Sequence, residues 1–122
     1  MKRVLIVEDH ADIRSLVRFS LEMEDLDVHE AENGDVGLEM VSSLQPDVIL
    51  LDVMMPGLLD GFAVCRRIKA DPDLSRIRVV MLTALGQQAD REDGMEAGAD
   101  AYLTKPFSPA QLVSTVRDQL GA

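Results

Sequence analysis

Four short apolar runs, each closed by polar residues, constrain the fold of this chain more than any other feature. They read Val4-Leu5-Ile6-Val7 before Glu8-Asp9, Val48-Ile49-Leu50-Leu51 before Asp52, Val79-Val80-Met81-Leu82 before Thr83, and Ala101-Tyr102-Leu103 shortly before Lys105. Runs of this length and composition mark strands buried on both faces of a parallel sheet. Segments with helical spacing lie between them. Strand–helix alternation implies right-handed βαβ units with helices on both faces of the sheet. Binding sites in such sheets form just beyond the carboxyl ends of the strands. The polar residues that close the runs are therefore expected to converge.

The spacing predicts strands over 3–8, 27–31, 47–52, 77–82 and 100–103. It predicts helices over 11–23, 35–44, 61–70 and 87–97, with a last helix opened by the capping box Ser108-Pro109-Ala110-Gln111. Ile13, Leu16, Val17 and Leu21 form the expected core stripe of the first helix, and Leu112, Val113, Val116 and Leu120 that of the last. Asn33-Gly34 signals a turn, Asp71-Pro72-Asp73 breaks the third helix, and Gly98 stops the fourth, which is polar with little apolar stripe. The expected fold is α/β, a doubly wound three-layer sandwich. Its five-stranded parallel sheet has order 2-1-3-4-5, flavodoxin-like, with five helices.

At 122 residues, 1–122 is expected to be a single domain able to bury one core without metals or disulfides. No apolar stretch is long enough to span a bilayer, and the start is too brief for a signal peptide, so no membrane partner and a cytoplasmic location are expected. The single Cys65 excludes an internal disulfide and is expected to be a buried structural thiol. The net charge of −10 is opposite to what phosphate-backbone binding wants, so no direct nucleic-acid contact is expected.

In a 2-1-3 order the first and third strands are neighbours, which brings Glu8, Asp9 and Asp52 together. Three converging carboxylates repel one another unless neutralised. A hard divalent cation with oxygen ligands answers this, Mg²⁺ above all, with Mn²⁺ as a substitute. Asp9 and Asp52 would be direct ligands, Glu8 would act through water, and the backbone carbonyl of Met54 would be a further ligand. A carboxylate can also be a nucleophile that forms an aspartyl phosphate, and Asp52 is the best placed. Lys105 would pair with Asp52 and then with a phosphoryl oxygen, and the Thr83 hydroxyl would donate to another. Each residue taken alone has a plainer reading as a cap, strand or surface residue; their joint order is what no packing argument requires. His10 and His29 offer no pairing with a Cys, and His10 reads as first-turn helix surface.

The stretches Val4–Asp9, Pro46–Gly57, Asp60-Gly61-Phe62, Val80–Ala84 and Gly98–Phe107 resemble a response-regulator receiver domain, the phospho-accepting module of two-component signalling, over essentially the whole chain. The resemblance implies that Asp52 accepts a phosphoryl group from a sensor histidine kinase or a histidine phosphotransfer protein. It implies that Glu8 and Asp9 are the acidic pair for Mg²⁺, that Thr83 and Tyr102 are the switch hydroxyl and aromatic, and that Lys105 is the pocket lysine. The Lys105–Pro106 bond is expected to be cis, aiming Lys105 at the pocket. The signal would pass to a downstream protein effector through the face of the fourth helix, fifth strand and fifth helix, with a phosphorylation-linked homodimer through the same face. The loop Met55-Pro56-Gly57-Leu58-Leu59-Asp60-Gly61 departs from the family pattern by one extra residue. Met54 and Leu85, two residues after Asp52 and Thr83, would face the route of a hydrolytic water, which suggests slow self-dephosphorylation.

Three alternatives compete. A hydrolase of the haloacid-dehalogenase type needs a second Asp two residues after the first, where Met54 stands. A flavodoxin-like FMN binder needs a phosphate loop where Glu8-Asp9-His10-Ala11-Asp12 stands. A degenerate receiver would act as a constitutive interaction module.

Overall fold

The computed structural model describes residues 1–55, 59–83 and 96–121. In chain order the elements are β1 (Lys2–Val7), α1 (Ala11–Leu21), β2 (Leu26–Ala31), α2 (Gly34–Leu44), β3 (Val48–Asp52), α3 (Gly61–Ala70), β4 (Arg78–Thr83), β5 (Ala101–Thr104) and α4 (Pro109–Gln119). All strand pairs are parallel, in the order β2-β1-β3-β4-β5, as the strand–helix alternation predicts. The helix expected over 87–97 lies largely outside the described residues. Its end is visible: Glu96 and Ala97 are helical, and Gly98 follows with φ of 96°, at the stop read from the sequence.

The apolar runs alternate between two cores because successive strand side chains point to opposite faces. Leu5, Val7, Ile49, Leu51, Val79 and Met81 face α2 and α3, while Val4, Ile6, Val48, Leu50, Val80 and Leu82 face α1 and α4. All five residues of β3 are buried, so it has no polar face to alternate. Each such Val, Leu or Ile contributes about 1.5–3 kcal/mol of burial. Cys65 joins the first core as expected, its thiol 3.4 Å from the Ala97 carbonyl oxygen and its pKa pushed up to about 11 by burial.

The helices start where the sequence supplies caps. The Asn33 side chain accepts from the Val36 amide at 2.9 Å and the Asp60 side chain from the Ala63 amide at 2.8 Å. The Ser108–Gln111 capping box forms in both directions, at 3.1 and 2.9 Å. The stripe of α1 differs from expectation. Val17 and Leu21 are buried and Ile13 partly so, but Leu16 is 44% exposed, and the helix ends at Leu21 rather than residue 23. The apolar arc of α1 is wider than the face the sheet covers, which leaves Leu16 and Phe19 at the surface.

At the sheet edge opposite the site, Lys69 Nζ donates to the Ile77 carbonyl at 2.7 Å and pairs with Asp100 at 2.8 Å. Asp100 also accepts from the Val79 amide at 2.8 Å and pairs with Arg78 at 3.3 Å. Burial alone would raise the Asp100 pKa, but the bonds from Lys69 and Val79 outweigh it and hold it below its ordinary value. A depressed folded-state pKa stabilises above the ordinary carboxylate value, and that stability is lost as pH falls through the folded-state value. Asp100→Asn should therefore cost about 1–2 kcal/mol at pH 7, with the difference closing in acid. Urea melts at neutral and acid pH check this, and a pH-independent difference would refute the charge assignment.

Candidate functional site

Register places the site. Val7 pairs with Leu51 across β1 and β3, so Glu8 emerges beside Asp52, and the Glu8 amide continues the ladder by donating to the Ala31 carbonyl at 3.1 Å. Asp52 pairs with Leu82 across β3 and β4, one residue before Thr83. Thr83 pairs with Thr104 on β5, and the Lys105 amide donates to the Thr83 carbonyl at 2.7 Å. Four strand ends thus gather Glu8, Asp9, Asp52, Thr83 and Lys105 at one edge of the sheet. The Lys105–Pro106 peptide bond is cis. Tyr102, on β5, is partly buried against the α2–α3 core.

Glu8 is fully buried, and Asp52 and Thr83 nearly so. Lys105 Nζ lies 2.9 Å from Glu8 Oε2 and 3.3 Å from Asp52 Oδ1. Asp52 Oδ1 also accepts from the Met54 amide at 3.2 Å, while the Met54 side chain points outward, 66% exposed. Asp52 Oδ2 is buried with no hydrogen-bond partner among the described residues, and Asp9 Oδ1 shares that condition although it lies 3.2 Å from His10 Nδ1. The loop that carries the extra residue is described except for 56–58, and Leu85 lies outside the described residues.

Two carboxylates facing one ammonium cannot both ionise freely. Burial, and then the Glu8 charge, push the Asp52 pKa up to about 7 in the metal-free pocket. Glu8 is buried too, but bonds from Lys105 and His10 outweigh its desolvation and hold its pKa below the ordinary value. Charge therefore rests on Glu8, and Asp52 is the member that a cation would ionise fully.

Sequence reasoning missed one participant. His10 is the N-cap of α1, and its ring turns back over the pocket, with Nδ1 3.0 Å from Glu8 Oε1 and 3.2 Å from Asp9 Oδ1. Its pKa is raised, first by the bond to Glu8 and then by the Asp9 charge. The available signal was a histidine directly after an acidic pair at a helix start, where the non-helical backbone leaves the side chain free to fold back. Glu8, Asp9, His10 and Asp52 each offer a ligand atom, all within 4.8 Å of one another. The unpartnered buried carboxylate oxygens of Asp9 and Asp52 fit a hard divalent cation.

Gly61, the first residue of α3, packs directly on the backbone of the strand that carries Asp52. Its amide donates to the Val53 carbonyl at 3.1 Å, and a Cβ at that position would lie 2.2 Å from the Asp52 carbonyl oxygen.

The chain is similar to known proteins in sequence and fold. The DNA-binding dual master transcriptional regulator RpaA of Synechocystis sp. is 46% identical over 117 residues, covering 96% of this chain and 48% of RpaA. The chain thus spans about half the length of the curated relatives it matches. The crystal structure of a response-regulator candidate from Chloroflexus aurantiacus superposes with a TM-score of 0.94 at 33% identity, covering 99% of this chain and 98% of that one. The receiver domain of a sensor histidine kinase from Pseudomonas aeruginosa superposes at 0.90 with 30% identity, covering 99% and 98%, and that structure has a magnesium ion coordinated in its active-site cleft.

The expectation of no direct nucleic-acid contact is overturned by RpaA, which is a DNA-binding regulator. The net charge of −10 describes only a stretch matching half of such a regulator, so it does not speak for the remainder. Among the described residues no helix is long and apolar enough to cross a membrane. The family profile of the response regulator receiver domain matches residues 4–117, and on that match the chain belongs to the response-regulator receiver domains of two-component signalling.

Proposed function

We propose that residues 1–122 form a single receiver domain in which Asp52 accepts a phosphoryl group from the phosphohistidine of a sensor histidine kinase or phosphotransfer protein. One observation carries this reading: the Lys105 ammonium bridges Glu8 and Asp52 while Asp52 Oδ2 stays buried without a partner among the described residues. An Asp52 oxygen attacks phosphorus, the phosphorus–nitrogen bond breaks, and the imidazole nitrogen leaves with the electron pair. Asp9, Asp52 and the Met54 carbonyl, with Glu8 through water, would hold Mg²⁺ or Mn²⁺, which neutralises phosphoryl charge when bound. Lys105 then exchanges its Asp52 contact for a phosphoryl oxygen, and the Thr83 hydroxyl donates to another.

The new contacts favour an active state that Thr83 and Tyr102 communicate to a face that includes β5 and α4. A protein effector or a second copy of the chain reads that face. A methionine two residues after Asp52 offers no polar group to orient a hydrolytic water, which slows loss of the phosphoryl group. In the whole protein, a DNA-contacting effector of the kind found in RpaA receives the signal. Intact-mass spectrometry after incubation with phosphoramidate tests the chemistry. A single phosphoryl adduct that requires both Mg²⁺ and Asp52, and is absent in Asp52→Ala, is expected. No adduct under any condition would favour the degenerate, constitutive interaction module instead.

A further inference from the structure

We infer that His10 supplies a nitrogen ligand to the cation site, which makes this pocket selective for first-row transition metals such as Mn²⁺ and Co²⁺ over Mg²⁺. The inference rests on the reading of the acidic pocket as a cation site. His10 Nδ1 sits between two carboxylate oxygens, 3.0 Å from Glu8 Oε1 and 3.2 Å from Asp9 Oδ1. Neighbouring ligands around an octahedral cation with bonds of about 2.1 Å lie about 3.0 Å apart. The ring nitrogen is thus spaced from Asp9 Oδ1, the direct ligand of the acidic pair, about as a further ligand would be.

In the metal-free pocket a proton on Nδ1 satisfies that geometry. Ligand atoms of Glu8, Asp9, His10 and Asp52 all lie within 4.8 Å of one another, which places the ring nitrogen among the oxygens that would surround a cation. A second observation points to the same place: Asp52, nearly fully buried, offers the cluster a carboxylate oxygen and keeps Oδ2 without a partner among the described residues. Mg²⁺ prefers oxygen, whereas a site with an imidazole gains affinity along the first-row series, least for Mn²⁺ and more for Co²⁺ and the later metals. His10 reaches this position without strain to the fold, because it is the N-cap of α1, with extended backbone and no side-chain cap bond of its own to surrender.

The test uses untagged protein with His29→Gln as its background, which removes the other imidazole. Calorimetry gives Kd for Mg²⁺ and Co²⁺, and pulsed EPR of bound Mn²⁺ reads ¹⁴N coupling. The inference expects imidazole coupling that Mg²⁺ displaces and that His10→Asn abolishes. It also expects the Co²⁺-to-Mg²⁺ affinity ratio to fall at least tenfold in His10→Asn. Absent ¹⁴N coupling, or Co²⁺ and Mg²⁺ affinities that fall in parallel, would overturn it. Asp9→Asn separates the two readings: if Mg²⁺ binding survives that change, the acidic pocket itself is misassigned. If it is lost while His10→Asn leaves the ratio unchanged, only the nitrogen ligand is wrong.

Discussion

Gly61→Ala should destabilise the protein by about 3 kcal/mol or more, and lower the melting temperature by roughly 10 °C. In most helices the same change stabilises by up to about 1 kcal/mol, because alanine is the better helix former. Here the added methyl would lie 2.2 Å from the Asp52 carbonyl oxygen and 2.8 Å from Val53 Cα. Both contacts are backbone, so no side-chain rotation relieves them. Either α3 lifts from β3 or the end of β3 yields. The second response moves the proposed acceptor itself, so Mg²⁺ affinity should fall along with stability. Urea denaturation and calorimetric Mg²⁺ binding on the same variant check both effects. A neutral or stabilising substitution would show that the α3–β3 contact relaxes at little cost.

The second large effect has the opposite sign. Asp52→Asn should stabilise the protein in EDTA at pH 8 by about 2 kcal/mol. Burial and the neighbouring Glu8 raise the Asp52 pKa from its ordinary 3.8 to about 7. A raised folded-state pKa means that wild-type stability is highest below the ordinary value and declines as pH rises through the folded-state one. Over that whole interval the loss would be about 4 kcal/mol at 1.36 kcal/mol per pH unit, and sharing of the charge with Glu8 reduces it. The asparagine carries no charge, so its advantage should grow from about pH 4 to pH 7 and vanish in acid. Saturating Mg²⁺ should narrow it, because the cation stabilises the ionised wild type. Chemical denaturation across pH, with and without Mg²⁺, decides. An equal or less stable Asp52→Asn at pH 8 in EDTA would mean that the wild-type carboxylate is better solvated than its burial implies.

The two variants mark what was legible in the sequence and what was not. Asp52, Glu8, Thr83 and Lys105 could be placed because each follows a strand run, and parallel strand ends converge whatever the details of packing. Sheet order followed from the alternation of elements for the same reason. The direction of the His10 ring was not legible, since it depends on one side-chain rotamer at a helix cap and on two carboxylates that only the fold assembles. Leu16 was misplaced on α1 because helical spacing reports where apolar residues lie on a helix and not how wide a face the sheet covers. The closeness of Gly61 to the Asp52 carbonyl required the path of the chain between β3 and α3, which no periodicity encodes. The expectation of no direct nucleic-acid contact was read from the charge of a stretch that matches only about half of a DNA-binding relative.

Lys105 and Glu8 stand 97 positions apart in the chain and 2.9 Å apart in space. The pocket between them cannot be assembled piecemeal: a growing polypeptide with β1 and β3 already folded has its carboxylates but lacks the ammonium that joins them. The finished pocket therefore waits for β5 to pair with β4 and bring Lys105 to the two carboxylates. A chain that stops before β5 holds Glu8 and Asp52 without the ammonium that joins them.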